Sequence, residues 1–549
     1  MKSYMGDLEV RQVNCYYNYT VGLATTEVNL LKTAAKLLKS GTARTVCFSD
    51  LKYLYLDDEN KVQLEFLHPQ GRQWDSGWEV KFSDDLPRSV IEELTLCLEL
   101  SFHEHRIENP EARQIAPYIR AALPPLILEK GDMTLPIYPW LKLLSDGIMI
   151  LSFQLDTSWD GLSEADFISD IVNIFQRYFD RVWVHANIQR LDAEQLIPNA
   201  FENELSIGGE LISGRKSKKL IKEMRLKSRL KLNESLGKKG QEFEIGQETW
   251  TLHQIAGSEE QSEWEATIDL CRSIYINAIT SLVVTGVGKK SKQLCQVQLW
   301  QGRPSISLMR FNDQPSKKEE LIEKFGPSLS RVMMRASEVK DPPELPPDLR
   351  LFGDYCLHAN RTLLLWTWLR PNNSTDDAWE DSITRAMLME NQGRAEYLEY
   401  HNMRIARACA IANSPPSDQD LIEAYEVLAS ADTVIHHSSQ AGEITDALSY
   451  VLSATGTRAL VESGKEQARW HLDERRYRTD KSRAKVDSWL AVVFGLVGVS
   501  GVADLVIKPF LGAFYIEVPS GFIGLVSFLS ATVIFGMVAF IVWVINTRK

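Results

Sequence analysis

Two apolar runs near the C-terminus break with the polar–apolar texture of the rest of the chain: Trp489–Ile507 (WLAVVFGLVGVSGVADLVI) and Gly521–Ile545 (GFIGLVSFLSATVIFGMVAFIVWVI). A helix needs about twenty residues to cross ~30 Å of hydrocarbon, so the pattern predicts a two-helix transmembrane hairpin over 489–549. Trp489 and Trp543 fall where interfacial aromatics are expected. Gly495, Gly498 and Gly501 recur every three residues in the first run. Ser520/Gly524, Ser527/Ala531 and Thr532/Gly536 are small pairs four apart at the second. Small residues let membrane helices approach closely, which predicts packing against further helices and favours a homo-oligomer. Asp504 and Lys508 interrupt the first run near its outer end, spaced i, i+4. On one helical face they can pair and neutralise each other. In an oligomer, one Asp504 per subunit would instead ring the outer mouth of a pore and attract cations.

Upstream, short alternating runs read as strands. TVCF (45–48) leads to LKYLYL (51–56) and VQLEFL (62–67), a hairpin about the turn DDEN. GIMILSFQL (147–155) and RVWVHANI (181–188) flank the amphipathic run FISDIVNIFQRYF (167–179), which predicts strand–helix–strand and a partly parallel sheet. LCQVQLW (294–300) and SISLMRF (305–311) suggest a hairpin through QGRP. The proline clusters KDPPELPPD (340–348) and NSPPS (413–417) bracket helix formers over Asp376–Ala412. Ser417 and Asp420 resemble a capping box, and Leu421, Tyr425 and Leu428, then Ile444, Leu448, Val451 and Thr455, form helical stripes. A single helix from Glu443 into the first span, roughly sixty residues, would reach about 90 Å; Gly442, Gly456 and Gly464 are where it could break. The expected class is an α/β or α+β cytosolic head, a long helical stalk and the C-terminal hairpin. Its boundaries are 1–205 for the head, 206–240 for a basic segment and 241–340 for the second part of the head. A Pro-bounded helical segment over 341–416 and a stalk helix over 417–488 lead to the hairpin.

Of the 549 residues 44% are hydrophobic and 24% charged, ordinary values for globular protein. The net charge of −12 argues against a general binder of nucleic acid or anionic lipid. Against that background, 215–240 holds eleven basic and two acidic residues. It reads either as a solvated helix or as an anion site, with Lys218, Lys219, Lys222 and Arg225 meeting a nucleotide, phosphate or lipid headgroup. No aromatics interleave, so stacking on single-stranded nucleic acid is not expected, and no direct nucleic-acid partner is. Basic residues cluster before the first span (Arg475, Arg476, Arg478, Lys481, Arg483, Lys485) and after the second (Arg548, Lys549). Positive-inside asymmetry then puts both termini in the cytosol and the short loop outside. These membrane-proximal residues would meet lipid headgroups or a pore vestibule. MKSYMGDLEVRQ lacks an apolar h-region, so no signal peptide is expected. The seven scattered cysteines never form CxxC and read as reduced core residues.

Catalytic motifs are sparse. His103-Glu104-His105 lacks the i, i+4 spacing of helical metal ligands, although on a strand both histidines would share a face. His436–His437 diverge on a helix and read as surface. GVGKK (286–290) lacks Walker spacing, and neither GxGxxG nor GxSxG occurs. No enzyme activity and no certain cofactor are expected, and the sequence leaves any metal ligand set unknown.

A cytosolic α/β head, a helical segment, a basic-ended helix entering the first span, a short outer loop and a second span ending in Arg548–Lys549 together resemble the CorA-type metal-ion transporter superfamily. The resemblance is architectural and strongest over Asp376–Lys549. It implies a funnel-shaped homopentamer in the cell inner membrane, first helices lining the pore and second helices outside. It also implies a divalent cation such as magnesium as permeant or regulatory ion. Some divergent relatives are membrane effectors of antiviral systems gated by nucleotide messengers. The family's Gly-Met-Asn tripeptide is missing: the corresponding region reads SGVADLVIKPF, and Gly536–Met537 lies inside the second span, followed by Val538. The expected function is thus a CorA-like oligomeric ion channel or transporter gated by a ligand on its cytosolic domain. The alternatives are a membrane-anchored sensor or scaffold without conduction, or a conventional magnesium transporter.

Overall fold

The computed structural model describes residues 8–23, 27–56, 61–66, 69–73, 77–80, 82, 86–108, 115–131, 133–174, 179–189, 240–246, 248–257, 267–286, 297–369, 381–413, 415, 418–437, 439, 441–513 and 521–547. The fold is mixed α/β, with a large sheet and a helical C-terminal region. The chain divides into two compact units, Met1–Ala468 and Arg469–Lys549.

The first unit is organised by β1 (Glu9–Leu23), a 15-residue strand. Its side chains alternate: Val13, Cys15, Tyr17, Tyr19 and Val21 enter the main apolar core, while Asn14, Asn18 and Thr20 point to the other face, also buried. β1 pairs antiparallel with β10 (Ile148–Ser163) on one side and β14 (Val297–Phe311) on the other. Outward from β10 come β9 (Met133–Leu144), β8 (Leu126–Lys130), β11 (Arg181–His185), β13 (Glu248–Gly257) and β12 (Gln241–Ile245). Beyond β14 lie β16 (Leu364–Trp368) and β15 (Tyr355–Ala359). A branch leaves β9 through β7 (Tyr118–Ala122) to β2 (Thr45–Phe48), β3 (Lys52–Leu56) and β4 (Val62–Phe66), and β5 (Pro69–Gln73) and β6 (Gly77–Val80) pair as a separate hairpin. Strands from both sides of 190–239 share this one sheet.

The hairpin expected from LKYLYL and VQLEFL forms, with Lys52 opposite Phe66 and Leu56 opposite Val62. Two expectations are corrected. Parallel pairing occurs among the described strands only between β14 and β16, because β11 pairs antiparallel with β8 and β13 and never meets β10. The segment after β10 is a short π-helical stretch, Phe167–Val172, whose Phe167, Ile168, Ile171 and Val172 seal the core. QGRP makes no turn: β14 runs through it as one strand. There Gly302 passes so close to β1 that a Cβ would lie 2.2 Å from the carbonyl oxygen of Asn18, so only glycine fits.

Helices cover both sheet faces. On the apolar face α1 (Leu30–Lys39), α3 (Thr267–Leu282) and α4 (Lys318–Met334) contribute Leu37, Ile279 and Phe325 to the core. On the polar face lie α2 (Arg88–Ile107) and α5 (Ser382–Asn413). α5 is the helix expected between the proline clusters, and 340–348 forms neither helix nor strand. The expected stalk helix is corrected to four helices: α6 (Asp418–Ala429), α7 (Ala431–His437), α8 (Gly442–Ala454) and α9 (Thr457–Val502). Leu421, Leu428, Ile444, Leu448 and Val451 are buried, as their spacing required. The break before α9 falls at Gly456, whose φ of +77° favours glycine. Gly464 does not break α9; a Cβ there would come within 3.1 Å of Leu428 and 3.3 Å of Cys409 Sγ, so it serves close packing. Ser417 lies outside the described residues.

In the second unit α9 opens at Ala503–Ile507 into a π-turn, continues as α10 (Lys508–Ala513), and is followed by α11 (Ile523–Thr547). Val499 and Ala503, with Ile507, pack on Ala531 of α11, where Ser527 is also buried. Among the described residues no helix is long and apolar enough to cross a membrane, so the described helices do not by themselves support the expected hairpin. The described side chains of α11 run only to Met537.

Candidate functional site

Two places concentrate chemistry. The first is the helix pair of the second unit. Asp504 sits in the π-turn, an element frequent at functional positions, and Lys508 Nζ lies 3.6 Å from its Oδ1. Both are well exposed, at 70% and 51% of their side chains, so the pair is a solvated i, i+4 contact. The expected juxtaposition is therefore present. The glycine face is a different matter. A Cβ added to Gly495, Gly498 or Gly501 would meet nothing within 4 Å, as would one at Gly524 or Gly536. Of the small pairs only Ser527/Ala531 lies in the contact between the two helices; Ser520 is outside the described residues. Arg476, Arg478, Lys481, Arg483 and Lys485 are exposed on α9 and Arg475 is half-buried; Arg478 Nη2 donates to Glu474 Oε1 at 2.5 Å. Around them the apolar side chains face outward: Trp489, Phe494, Val497, Leu505 and Phe510, then Phe522, Leu525, Leu529, Val533 and Met537.

Lys218, Lys219, Lys222 and Arg225, together with the rest of the basic segment, lie outside the described residues, as does Lys289–Lys290 of GVGKK.

The second place was not visible in the sequence: a polar layer between the sheet and α5. Ser152 Oγ donates to Asn18 Oδ1 (2.6 Å), and Asn18 and Gln392 exchange amide hydrogen bonds at 2.9 and 3.3 Å. Gln392 Nε2 reaches Glu396 Oε1 (3.2 Å), which Arg120 grips with two nitrogens at 3.0 and 2.5 Å. Arg120 also reaches Glu104 (3.2 Å), and Glu104 accepts from Lys142. All four ionic groups are essentially without exposure. Burial alone would raise Glu104, but Lys142 and Arg120 hold its carboxyl down at about 2. Farther along α5, Glu399 pairs with Arg303 at 2.5 Å, and burial outweighs that arginine and raises the Glu399 carboxyl. Arg394 meets Glu390 and Glu443 at 2.7 and 3.3 Å.

This layer also settles His103-Glu104-His105. The tripeptide lies on α2, a helix and not a strand, so the histidines diverge: His103 is buried, Glu104 is the network carboxylate and His105 is exposed. Burial pushes His103 down to about 4. His436 and His437 are exposed on α7. Among the described residues no group of three or more His, Cys, Asp or Glu is placed to hold a metal ion, and Cys15, Cys47, Cys97, Cys356 and Cys409 are buried thiols outside any disulfide.

Fold and sites together define a class: a mixed α/β unit with a buried ionic layer, and a C-terminal helical unit with outward apolar faces. No family model, no curated protein and no solved structure matches the chain.

Proposed function

We propose that this chain is an oligomeric membrane protein that conducts ions, its first unit a ligand-responsive domain and both termini on the cytosolic side. The observation that carries the reading is the second unit's surface. Among the described residues its helices bury Val499, Ala503, Ser527 and Ala531, while Trp489, Phe494, Leu505, Phe522 and Met537 are each at least 60% exposed. Exposed large apolar side chains recurring along both helices mark a membrane or protein contact. The apolar runs Trp489–Ile507 and Gly521–Ile545 would each span a bilayer, and the basic collar Arg475–Lys485 fits a cytosolic headgroup layer. The open faces at Gly495, Gly498 and Gly501 suit helix contacts between subunits. The order of elements that resembles the CorA-type superfamily supports the same reading. In such an oligomer Asp504 gives each subunit a carboxylate at the mouth, supplying by charge what the missing Gly-Met-Asn tripeptide would supply by hydrogen bonding.

A second reading, a membrane-anchored sensor without conduction, is favoured by the 3.6 Å Asp504–Lys508 pair, which neutralises a helix end as an anchor would. Flux from liposomes containing the purified full-length protein separates the two. The expected result is cation permeation, with potassium and magnesium as separate arms, reduced in Asp504→Asn while the oligomer stays intact. Absence of flux of any ion, or a monomer in detergent, would leave only the anchored sensor.

A further inference from the structure

The first unit holds a cleft of about 530 Å³ between α5 and α6, closed beneath by 115–117 and by Asp146 in the β9–β10 turn. α5 lines it with Tyr400, Arg404 and Arg407, and α6 with Asp420, Glu423 and Glu426, so two arginines and, with Asp146, four carboxylates line one space.

Arg407 is the anomaly. It is 6% exposed, its Nη1 is buried without a hydrogen-bond partner, and among the described residues it enters no ion pair. The other buried charges of α5 described above are all matched: Glu396 by Arg120, Glu399 by Arg303, Arg394 by Glu390 and Glu443. A guanidinium removed from water stays there at a cost that an anion must offset. The carboxylates of the cleft are partly committed. Asp146 accepts from Tyr400 Oη (3.0 Å) and from the Ile148 N–H (3.1 Å), and Glu423 accepts from Gln419 Nε2 (2.9 Å). The backbone is shaped around Arg407 as well: a Cβ on Gly22 of β1 would stand 3.1 Å from its Cδ.

We infer that this cleft binds a small oxyanion-bearing ligand, its phosphate or carboxylate seated on Arg407 beside Arg404 and its hydroxyl or amine donors directed to Asp420 and Glu423. The planar guanidinium fork matches either oxyanion in bidentate fashion, and the volume suits a molecule of nucleotide size. Arg407 carries the inference, not conduction: binding is read directly, so a chain that passes no ions could still have the site.

The test uses the full-length protein in detergent at constant ionic strength, titrated with inorganic phosphate, adenosine monophosphate and succinate, with adenosine and chloride as controls. Thermal midpoint and calorimetric binding are read together. Phosphate, adenosine monophosphate or succinate should raise the midpoint saturably; whichever series does so identifies the seated oxyanion as phosphate or carboxylate. Arg407→Met should bind at least tenfold more weakly, yet melt at or above the wild type without anion, because an unmatched buried charge is gone. Arg407→Lys, which keeps the charge and loses the fork, should fold and bind at least threefold more weakly. No anion effect beyond chloride would overturn the inference. So would undiminished binding by both variants, or an Arg407→Met protein that melts well below wild type in the absence of anion, since that marks a structural arginine.

Discussion

In the first unit Lys142, Arg120, Glu104 and Glu396 have side chains no more than 3% exposed, whereas in the second Trp489, Phe494 and Leu505 are at least 70% exposed. Each arrangement reverses the usual placement, and each has its own remedy. The buried charges neutralise one another through short, partly bidentate contacts, so the layer between α5 and the sheet is self-contained. Among the described residues the exposed apolar side chains of the second unit meet no counterpart; on the function proposed above, lipid or other subunits would cover them. A buried charge layer specifies how α5 sits on its own sheet, whereas the outward apolar face leaves its specification to whatever the second unit meets under the proposed function.

The strongest way to break the first half of the comparison is to remove one member of the ionic layer. Glu104→Gln leaves Lys142 with only Glu396 Oε2, at 3.6 Å, and takes a partner from Arg120. The expected cost is about 3–5 kcal/mol, the range for stranding a buried charge. Urea unfolding of the full-length chain in micelles measures it. The double variant Glu104→Leu/Lys142→Leu should recover most of the loss, since the layer then keeps the Arg120–Glu396 pair and buries no orphan. A single variant that costs under ~1 kcal/mol would mean the layer is wet and the contrast false.

The second half is tested by placing a charge on the outward face. Leu529→Glu should cost about 3 kcal/mol of membrane insertion if that face meets lipid, and shift the full-length chain out of the membrane fraction. Leu351→Glu is the internal control. Leu351 is also exposed, at 78%, but with its neighbour Phe352 it stands beside the proline-rich 340–348 segment of the first unit, where a small exposed apolar spot is ordinary. That substitution should change stability by less than ~0.5 kcal/mol and leave fractionation unaltered. Equal behaviour of the two variants would remove the distinction between the units.

How much of this was legible beforehand follows the range of the interactions. The helix between the proline clusters and the β3–β4 hairpin were readable, because each depends on residues within a few positions; of the three glycines offered as breaks before and within α9, Gly456 is one and Gly464 is not. β1 was not singled out although Val13, Cys15, Tyr17, Tyr19 and Val21 alternate with Asn14, Tyr16, Asn18 and Thr20: its polar face is buried, under α5, instead of solvated. The ionic layer joins α2, β7, β9 and α5, and Arg120 and Glu396 are 276 residues apart, so no local spacing could announce it. QGRP looked like a turn by composition; the close approach of β1 at Gly302 is a tertiary demand on glycine that a local reading mistakes for a bend. The contact between Asp504 and Lys508 was legible because i, i+4 pairing is local, whereas the π-turn that carries Asp504 has no sequence signature.

The smallest effect sharpens the comparison through pH. His401 of α5 is fully buried, with both ring nitrogens unpartnered and its ring edge-on to Tyr397 and Tyr400 at 4.6 and 5.1 Å between centroids. Burial first, then Arg404 and Lys142, pushes it down to about 3. Unfolded, the imidazole takes a proton near 6.5, so the folded state binds fewer protons between those values. Its contribution to stability is therefore complete above about 6.5 and is lost progressively as pH falls toward 3. Over pH 6.5 to 5 the loss amounts to about 2 kcal/mol for this one group. His103 adds a loss of the same sign down to about 4, while Glu104, held at about 2, loses its contribution as pH falls from the ordinary carboxylate value toward 2. Glu93, Glu99 and Glu399 act in the opposite direction, since burial raises each, so the raw pH curve is not the readout. The readout is the difference between wild type and His401→Phe, which keeps an aromatic ring between the two tyrosines and cannot titrate. Urea unfolding at pH 6.5 and 5 should show the wild type losing about 2 kcal/mol more than the variant. Parallel losses would mean that His401 is protonated in the folded protein. The layer under α5 would then admit water, and the first unit would not exclude solvent from its charges as its paired arginines and carboxylates indicate.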